Sequence, residues 1–199
     1  MACGSRECSA RSESWILQPV VILMRGLRRP PWAAPVAIAA ALILKTEGAL
    51  TLYMAAEWKD GMAFDVAAGS GHTVRIDARV EGGGADTGAR PKELLLGALA
   101  GCTCMDVISI LTKMRQPVRA FRVRAEAEET DTHPKVFRVI DLTYEVDGEG
   151  LDAERIAHAV ALSEWRYCGV SAMLRQAAEI RVRILINGAE VPQEPAPVA

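Results

Sequence analysis

The rhythm of apolar and polar positions changes several times along the chain, and each rhythm predicts an element. Residues Glu57 to Ala67 read as a β-hairpin around Asp60-Gly61, a common turn dipeptide. His72 to Ala78 reads as a third strand with Val74 and Ile76 on one face. Pro91 then opens the strongest helical run, which extends through Leu111 and is apolar almost all the way round. Between Glu93 and Lys113 its single charge is Asp106. A helix without a polar face is buried on every side. A lone domain of about 140 residues rarely wraps so long a helix completely, so a second subunit is expected to cover part of it.

Two long strands follow. Phe121 to Glu128 alternates, and from Val136 to Val146 the even positions (Ile140, Leu142, Tyr144, Val146) are apolar while Asp141, Thr143 and Glu145 are polar. Such alternation marks a half-buried antiparallel strand. Leu151 to Tyr167 reads as a helix with Ile156, Val160 and Tyr167 toward the core and Asp152 as N-cap. Cys168-Gly169 interrupts it, and Val170 to Ala178 resumes it. A final strand alternates Ile180, Val182, Ile184 and Ile186 with Arg181 and Arg183, and Asn187-Gly188 closes it. The sum is an α+β fold: an antiparallel sheet of about six strands with two main helices, one long and buried.

The ends differ from this body. Residues 1–53 carry six basic and three acidic side chains, against 17 basic and 22 acidic in the remainder. They hold Cys3, Cys8 and an apolar run of 13 residues from Trp32 to Leu44, shorter than the roughly 18–20 that span a bilayer. Three readings compete for this extension: a signal or anchor, a folded extra layer, or a poorly structured segment produced by a start site upstream of Met54. The third is expected, because strand patterning begins at Met54-Ala55-Ala56. The domain is thus read as 54–188, and 189–199, with three prolines in its last nine residues, as a disordered tail.

Composition narrows the function. Half of the 199 residues are hydrophobic, which excludes global disorder. A net charge of −2 and 5% aromatics argue against nucleic-acid binding. Gly82-Gly83-Gly84 through Gly88 is a loop without GK[ST] or the GxGxxG spacing, so it is no phosphate cradle. His72, His133 and His158 have no partner at catalytic spacing, and Arg122, Arg124, Arg181 and Arg183 fall on solvated strand faces.

Chemistry rests on the cysteines. Cys102 and Cys104 are two apart on a helix and point about 200° from one another, and no histidine lies within a turn of either. No metal is therefore expected. Cys104 reads as inert packing. Cys102 follows Gly101, with Thr103 and Asp106 close by, and Cys168 stands where a helix restarts, a position that favours thiolate. One thiol on a buried helix and one at a kink suit a dithiol–disulfide pair; on the residues alone, plain packing stays open.

The segment Pro91-Lys92-Glu93-Leu94-Leu95-Leu96-Gly97-Ala98-Leu99-Ala100-Gly101-Cys102, continued by Met105 to Leu111 and Arg115-Gln116-Pro117-Val118, resembles the central helix of the OsmC/Ohr family. Glu164-x-x-Tyr167-Cys168-x-Val170-Ser171 is similar to its second cysteine motif. The resemblance covers residues 54–187. It implies a thiol-dependent peroxidase on an intertwined homodimer, with Cys102 as peroxidatic and Cys168 as resolving cysteine. It also implies organic hydroperoxides as substrates, no bound cofactor, and an external dithiol reductant of the lipoyl type. A cytoplasmic location follows, without membrane or nucleic-acid partners; an envelope-attached form using residues 15–44 is the weaker alternative.

Two positions depart from the organic-hydroperoxide branch. That branch has Glu directly after the motif proline, where this chain has Lys92 and Glu93 comes one place later, a step of about 100° round the helix. The branch's hairpin Arg falls nearest to Lys59. Glu93 and Lys59 are the candidate thiolate partners, and Glu93 equally suits a first-turn acid on the helix dipole. The sequence thus resembles the OsmC-like subgroup. A non-enzymatic redox-sensing or small-ligand-binding module stands as the alternative function.

Overall fold

The computed structural model describes residues 51–195. The expectations for the extension before them, and for the final four residues, lie outside the described residues. Strands β1 (Met54–Asp60), β2 (Ala63–Ala68) and β3 (Thr73–Ile76) form an antiparallel three-stranded sheet. The β1–β2 turn is the expected one: Gly61 takes φ +49° and its N–H donates to Asp60 Oδ1 at 2.8 Å. The loop after β3 is organised by Asp77, whose carboxylate accepts from Ala78, Ala85 and Thr87 backbone N–H groups and the Thr87 hydroxyl.

Helix α1 (Pro91–Lys113) follows as the apolar run predicts, opened by a proline that needs no intrahelical N–H partner. Its buried residues are Leu99, Thr103, Val107 and Leu111, an i,i+4 stripe. Leu95, Met105 and Ile108 remain 42%, 70% and 38% exposed on the single chain, so one chain covers one face of a helix that has no polar face. By length and hydropathy α1 could cross a membrane. Its buried stripe, however, joins the core formed with the second sheet and the next helix.

That second sheet has the order β4-β5-β6-β7, from β4 (Val118–Glu129), β5 (Phe137–Gly148), β6 (Glu179–Ile186) and β7 (Ala189–Val191). Alternation fixes its inner face. Ile140, Leu142, Tyr144 and Val146 have no exposed surface and pair with Ala127, Ala125, Val123 and Phe121 on one side. On the other side they face Ile180, Val182, Ile184 and Ile186. Each fully buried aliphatic side chain here contributes about 1.5–3 kcal/mol of transfer free energy.

The α+β class is as expected, with three differences. The strands number seven among the described residues and divide between two sheets, and β5 and β6 run parallel rather than antiparallel. Parallel neighbours need a long crossover, supplied by α2 (Ala153–Leu162), a π-helical turn (Ser163–Tyr167) and α3 (Gly169–Leu174). Asp152 caps α2 as predicted, accepting from Glu154 and Arg155 N–H. Finally, Asn187-Gly188 does not close the domain. Both residues have positive φ, +49° and +80°, which makes a two-residue hairpin turn into β7. Strand pairing thus runs to Val191, past the expected boundary at 188.

Candidate thiol site

Cys102 and Asp106 are one turn apart on the same side of α1. Cys168 is the N-cap of α3, brought over α1 by the π-helical turn, which adds a residue to the last turn and redirects the chain. The two sulfurs and an Asp106 carboxylate oxygen lie within 4.8 Å of one another. Cys168 is 2% exposed and Cys102 partly so; both are free thiols. In the first turn of α3, Ser171 N–H donates to Cys168 Sγ at 3.3 Å.

Electrostatics at Cys102 oppose ionisation on balance. Burial pushes its pKa above the ordinary thiol value, and the Cys168 thiol and the Asp106 carboxylate add to that; the Val170 N–H acts the other way. Cys104 points elsewhere, toward Val123 of β4, and burial raises its pKa too.

Beneath the sulfurs lies a buried polar network. Thr103 Oγ1 is 2.6 Å from the Tyr144 hydroxyl and 2.9 Å from Ser163 Oγ. Tyr144 donates to Glu164 Oε1 at 2.5 Å, and Arg175 donates to Glu164 Oε2 at 2.5 Å. Ser171 Oγ also donates to the Glu164 carboxylate, and Ser163 Oγ donates to Asp106 Oδ2 at 3.2 Å. Burial, then the charge of Glu164, lift the Tyr144 hydroxyl far above the ordinary phenol range, so it stays a neutral donor. Arg175 lies between this carboxylate and the Trp165 ring, 3.9 Å from its centroid. A charge as buried as Glu164 is tolerable when it is paired and hydrogen-bonded. The network joins α1, β5, the π-helical turn and α3, the four elements that fix where the sulfurs are.

Of the residues singled out in the sequence, Cys102 and Cys168 come together. Glu93 and Lys59 are not brought to them within the chain. Glu93 accepts from Arg90 N–H at 2.9 Å and closes the N-terminus of α1, nine residues and about 13 Å of helix from Cys102. Arg90 accordingly holds its carboxyl below the usual range. Lys59 pairs with Glu57 at 2.9 Å and Asp65 at 3.7 Å on the first sheet. Lys92 donates to Glu129 at 2.8 Å and to the Lys135 carbonyl at 2.7 Å, fastening α1 to the β4–β5 connection. The roles of Glu164, Tyr144, Ser163 and Arg175 escaped the sequence reading. The available signal was a polar residue, Thr103, on the buried stripe of an apolar helix.

The sequence model for OsmC-like protein matches residues 82–183. Protein YhfA of Escherichia coli K12 is 36% identical over 124 residues, 62% of this chain and 90% of that protein. Among solved structures, an OsmC-like protein from Mycoplasma pneumoniae superposes with a TM-score of 0.61 at 15% identity, over 68% of this chain and 96% of that one. An organic hydroperoxide resistance protein OsmC from Legionella pneumophila does so with a TM-score of 0.52 at 17% identity, over 67% and 96%. These last two likenesses concern the fold.

Proposed function

This chain belongs to the OsmC-like protein family, and we propose that it is a thiol-dependent peroxidase that reduces organic hydroperoxides in the cytoplasm. The observation that carries this reading is the approach of Cys102 and Cys168 to within 4.8 Å over a buried polar network. Relatives of the same fold that are named organic hydroperoxide resistance proteins support it.

The Cys102 thiolate attacks the terminal oxygen of the hydroperoxide, the O–O bond breaks, and the departing alkoxide takes a proton and leaves as the alcohol. Cys102 is then a sulfenic acid. The Cys168 sulfur attacks it, water leaves, and a disulfide joins the two. An external dithiol, for which a lipoyl-type group fits the family resemblance, returns both thiols and becomes a disulfide itself. No bound cofactor takes part in this cycle.

A second copy of the chain belongs to the reading. Leu95, Met105 and Ile108 leave an apolar face of α1 uncovered. The first sheet also exposes Trp58 at 62% and Met62 at 49%, and its strands pack mainly on one another. Small sheets of this kind need a packed face to be stable. A homodimer that laid each first sheet against the partner's α1 would bury both surfaces.

The test is hydroperoxide consumption with cumene hydroperoxide and a lipoyl-type dithiol. Cys102→Ser should abolish turnover, whereas Cys168→Ser should complete one oxidation and accumulate a sulfenic acid that dimedone traps. Unchanged consumption in Cys102→Ser overturns the proposal. Lys92 and Lys59, standing where the organic-hydroperoxide branch has Glu and Arg, favour a second reading, a redox-sensing module. A sensor would form the same disulfide slowly and without turnover.

A further inference from the structure

We propose that Cys102, Asp106 and Cys168 form a binding site for a thiophilic divalent cation such as Zn²⁺ or Cd²⁺, held by two thiolates and one carboxylate. The expectation of no metal rested on Cys102 and Cys104, which do diverge around α1. The fold assembles a different trio. Cys102 and Asp106 come from one face of α1, and Cys168 crosses over from the N-cap of α3. Their ligand atoms already lie within 4.8 Å of one another. Tetrahedral zinc, with bonds of about 2.3 Å to sulfur and 2.0–2.2 Å to oxygen, separates its ligand atoms by about 3.5–3.8 Å. Closing the remaining gap takes about 1 Å, within reach of side-chain rotation on a partly open site.

The donor chemistry selects the ion. Two sulfurs and one oxygen suit zinc or cadmium and disfavour magnesium and calcium, which take oxygen ligands. The surrounding shell is also in place. Ser163 Oγ donates to Asp106 Oδ2, which orients the carboxylate and leaves its other oxygen for the ion. The Ser171 N–H donates to the Cys168 sulfur and offsets part of the negative charge that a metal dithiolate carries. Three protein ligands leave one coordination position for water.

Binding displaces one proton from each thiol to solvent, with no change in oxidation state. It also occupies both sulfurs at once, so an ion-loaded site can neither attack a hydroperoxide nor form the disulfide. The disulfide in turn offers no thiolate. Metal occupancy and oxidation therefore exclude one another, and this competition, unlike the coordination itself, rests on the proposed peroxidase activity.

The experiment uses the reduced full-length chain. Zinc is titrated by calorimetry, and cadmium by its sulfur-to-metal charge-transfer absorption, with no peroxide present. One ion per chain is expected. Cys102→Ser, Cys102→Ala and Cys168→Ser should weaken binding at least 100-fold, and Asp106→Asn at least tenfold, while Cys104→Ser should leave it unchanged. Circular dichroism checks that each variant is folded. Protein carrying the Cys102–Cys168 disulfide should give no charge-transfer band. Binding that survives in Cys102→Ala and Cys168→Ser, binding that follows Cys3 and Cys8 instead, or no heat and no band at millimolar ion overturns the site. A chain that binds the ion as described but consumes no hydroperoxide refutes the peroxidase reading alone.

Discussion

Tyr144→Phe tests whether the polar network holds the sulfur site together. Tyr144 has no exposed surface, and its hydroxyl lies 2.5 Å from Glu164 Oε1 and 2.6 Å from Thr103 Oγ1. The ring and its packing survive the change, so the substitution isolates one oxygen. Losing a hydrogen bond to a charged acceptor costs about 1.5–3 kcal/mol. Glu164 keeps its Arg175 and Ser171 partners, which places the cost in the lower half of that range, about 2 kcal/mol. For a folded unit of this size, each kcal/mol lowers Tm by about 2–4 °C, so Tm should fall by about 4–8 °C. Urea denaturation followed by tryptophan fluorescence measures it, with an unchanged dependence on urea concentration. The functional readout is separate: with the Tyr144 bridge between Thr103 and Glu164 gone and only their direct 3.5 Å contact left, disulfide formation after Cys102 oxidation should slow and sulfenic acid should persist longer. Stability within about 0.5 kcal/mol of the parent, a change typical of an unremarkable surface site, together with unchanged disulfide kinetics, would refute the reasoning.

Further outcomes follow from other parts of the molecule. Oxidation of Cys102 should be slow near pH 7 and accelerate through and above the ordinary thiol range, because burial and then Cys168 raise its pKa; stopped-flow rates against pH check this, and a rate already at its plateau at pH 7 contradicts it. Asp77 is held at about 2 by the Thr87 backbone N–H first, then the Thr87 hydroxyl and the Ala78 and Ala85 N–H groups. A folded pKa below the unfolded value stabilises the fold above about pH 4, and that contribution disappears as pH falls toward 2. Denaturation at successive pH values should show the loss in the parent and a flatter profile in Asp77→Asn. Met105→Glu, on the 70% exposed position of α1, should convert a dimer to a monomer in sedimentation analysis, whereas an unchanged mass would remove the proposed interface.

Much of the fold was legible because alternation and helical run length are local properties. β4, β5, β6, α1 and the Asp152 cap all lie where the pattern predicts them. What escaped was non-local. Ile140, Leu142, Tyr144 and Val146 read the same whether their neighbour runs parallel or antiparallel, so the parallel β5–β6 pairing carries no local signature. The same holds for the division into two sheets. Asn187-Gly188 was visible, yet only Ala189-Glu190-Val191 followed before a proline, too short a stretch to read as a strand. At the site, the two cysteines were legible from their motifs. Glu164 falls within one of them, but its carboxylate matters through Tyr144, Ser171 and Arg175, which are 20, seven and 11 positions away. Glu93 illustrates the converse. An acid three residues into a helix can serve the helix end, and here its carboxylate accepts from the Arg90 N–H.

The most direct measurement is peptide mapping by mass spectrometry, without reduction, after one equivalent of cumene hydroperoxide is added to the fully reduced protein. A single new cross-link joining the peptide of Cys102 to that of Cys168 is expected, with Cys104 still a free thiol. Cys102 carried on to sulfinic or sulfonic acid beside an unmodified Cys168, or a cross-link through Cys104, would contradict it.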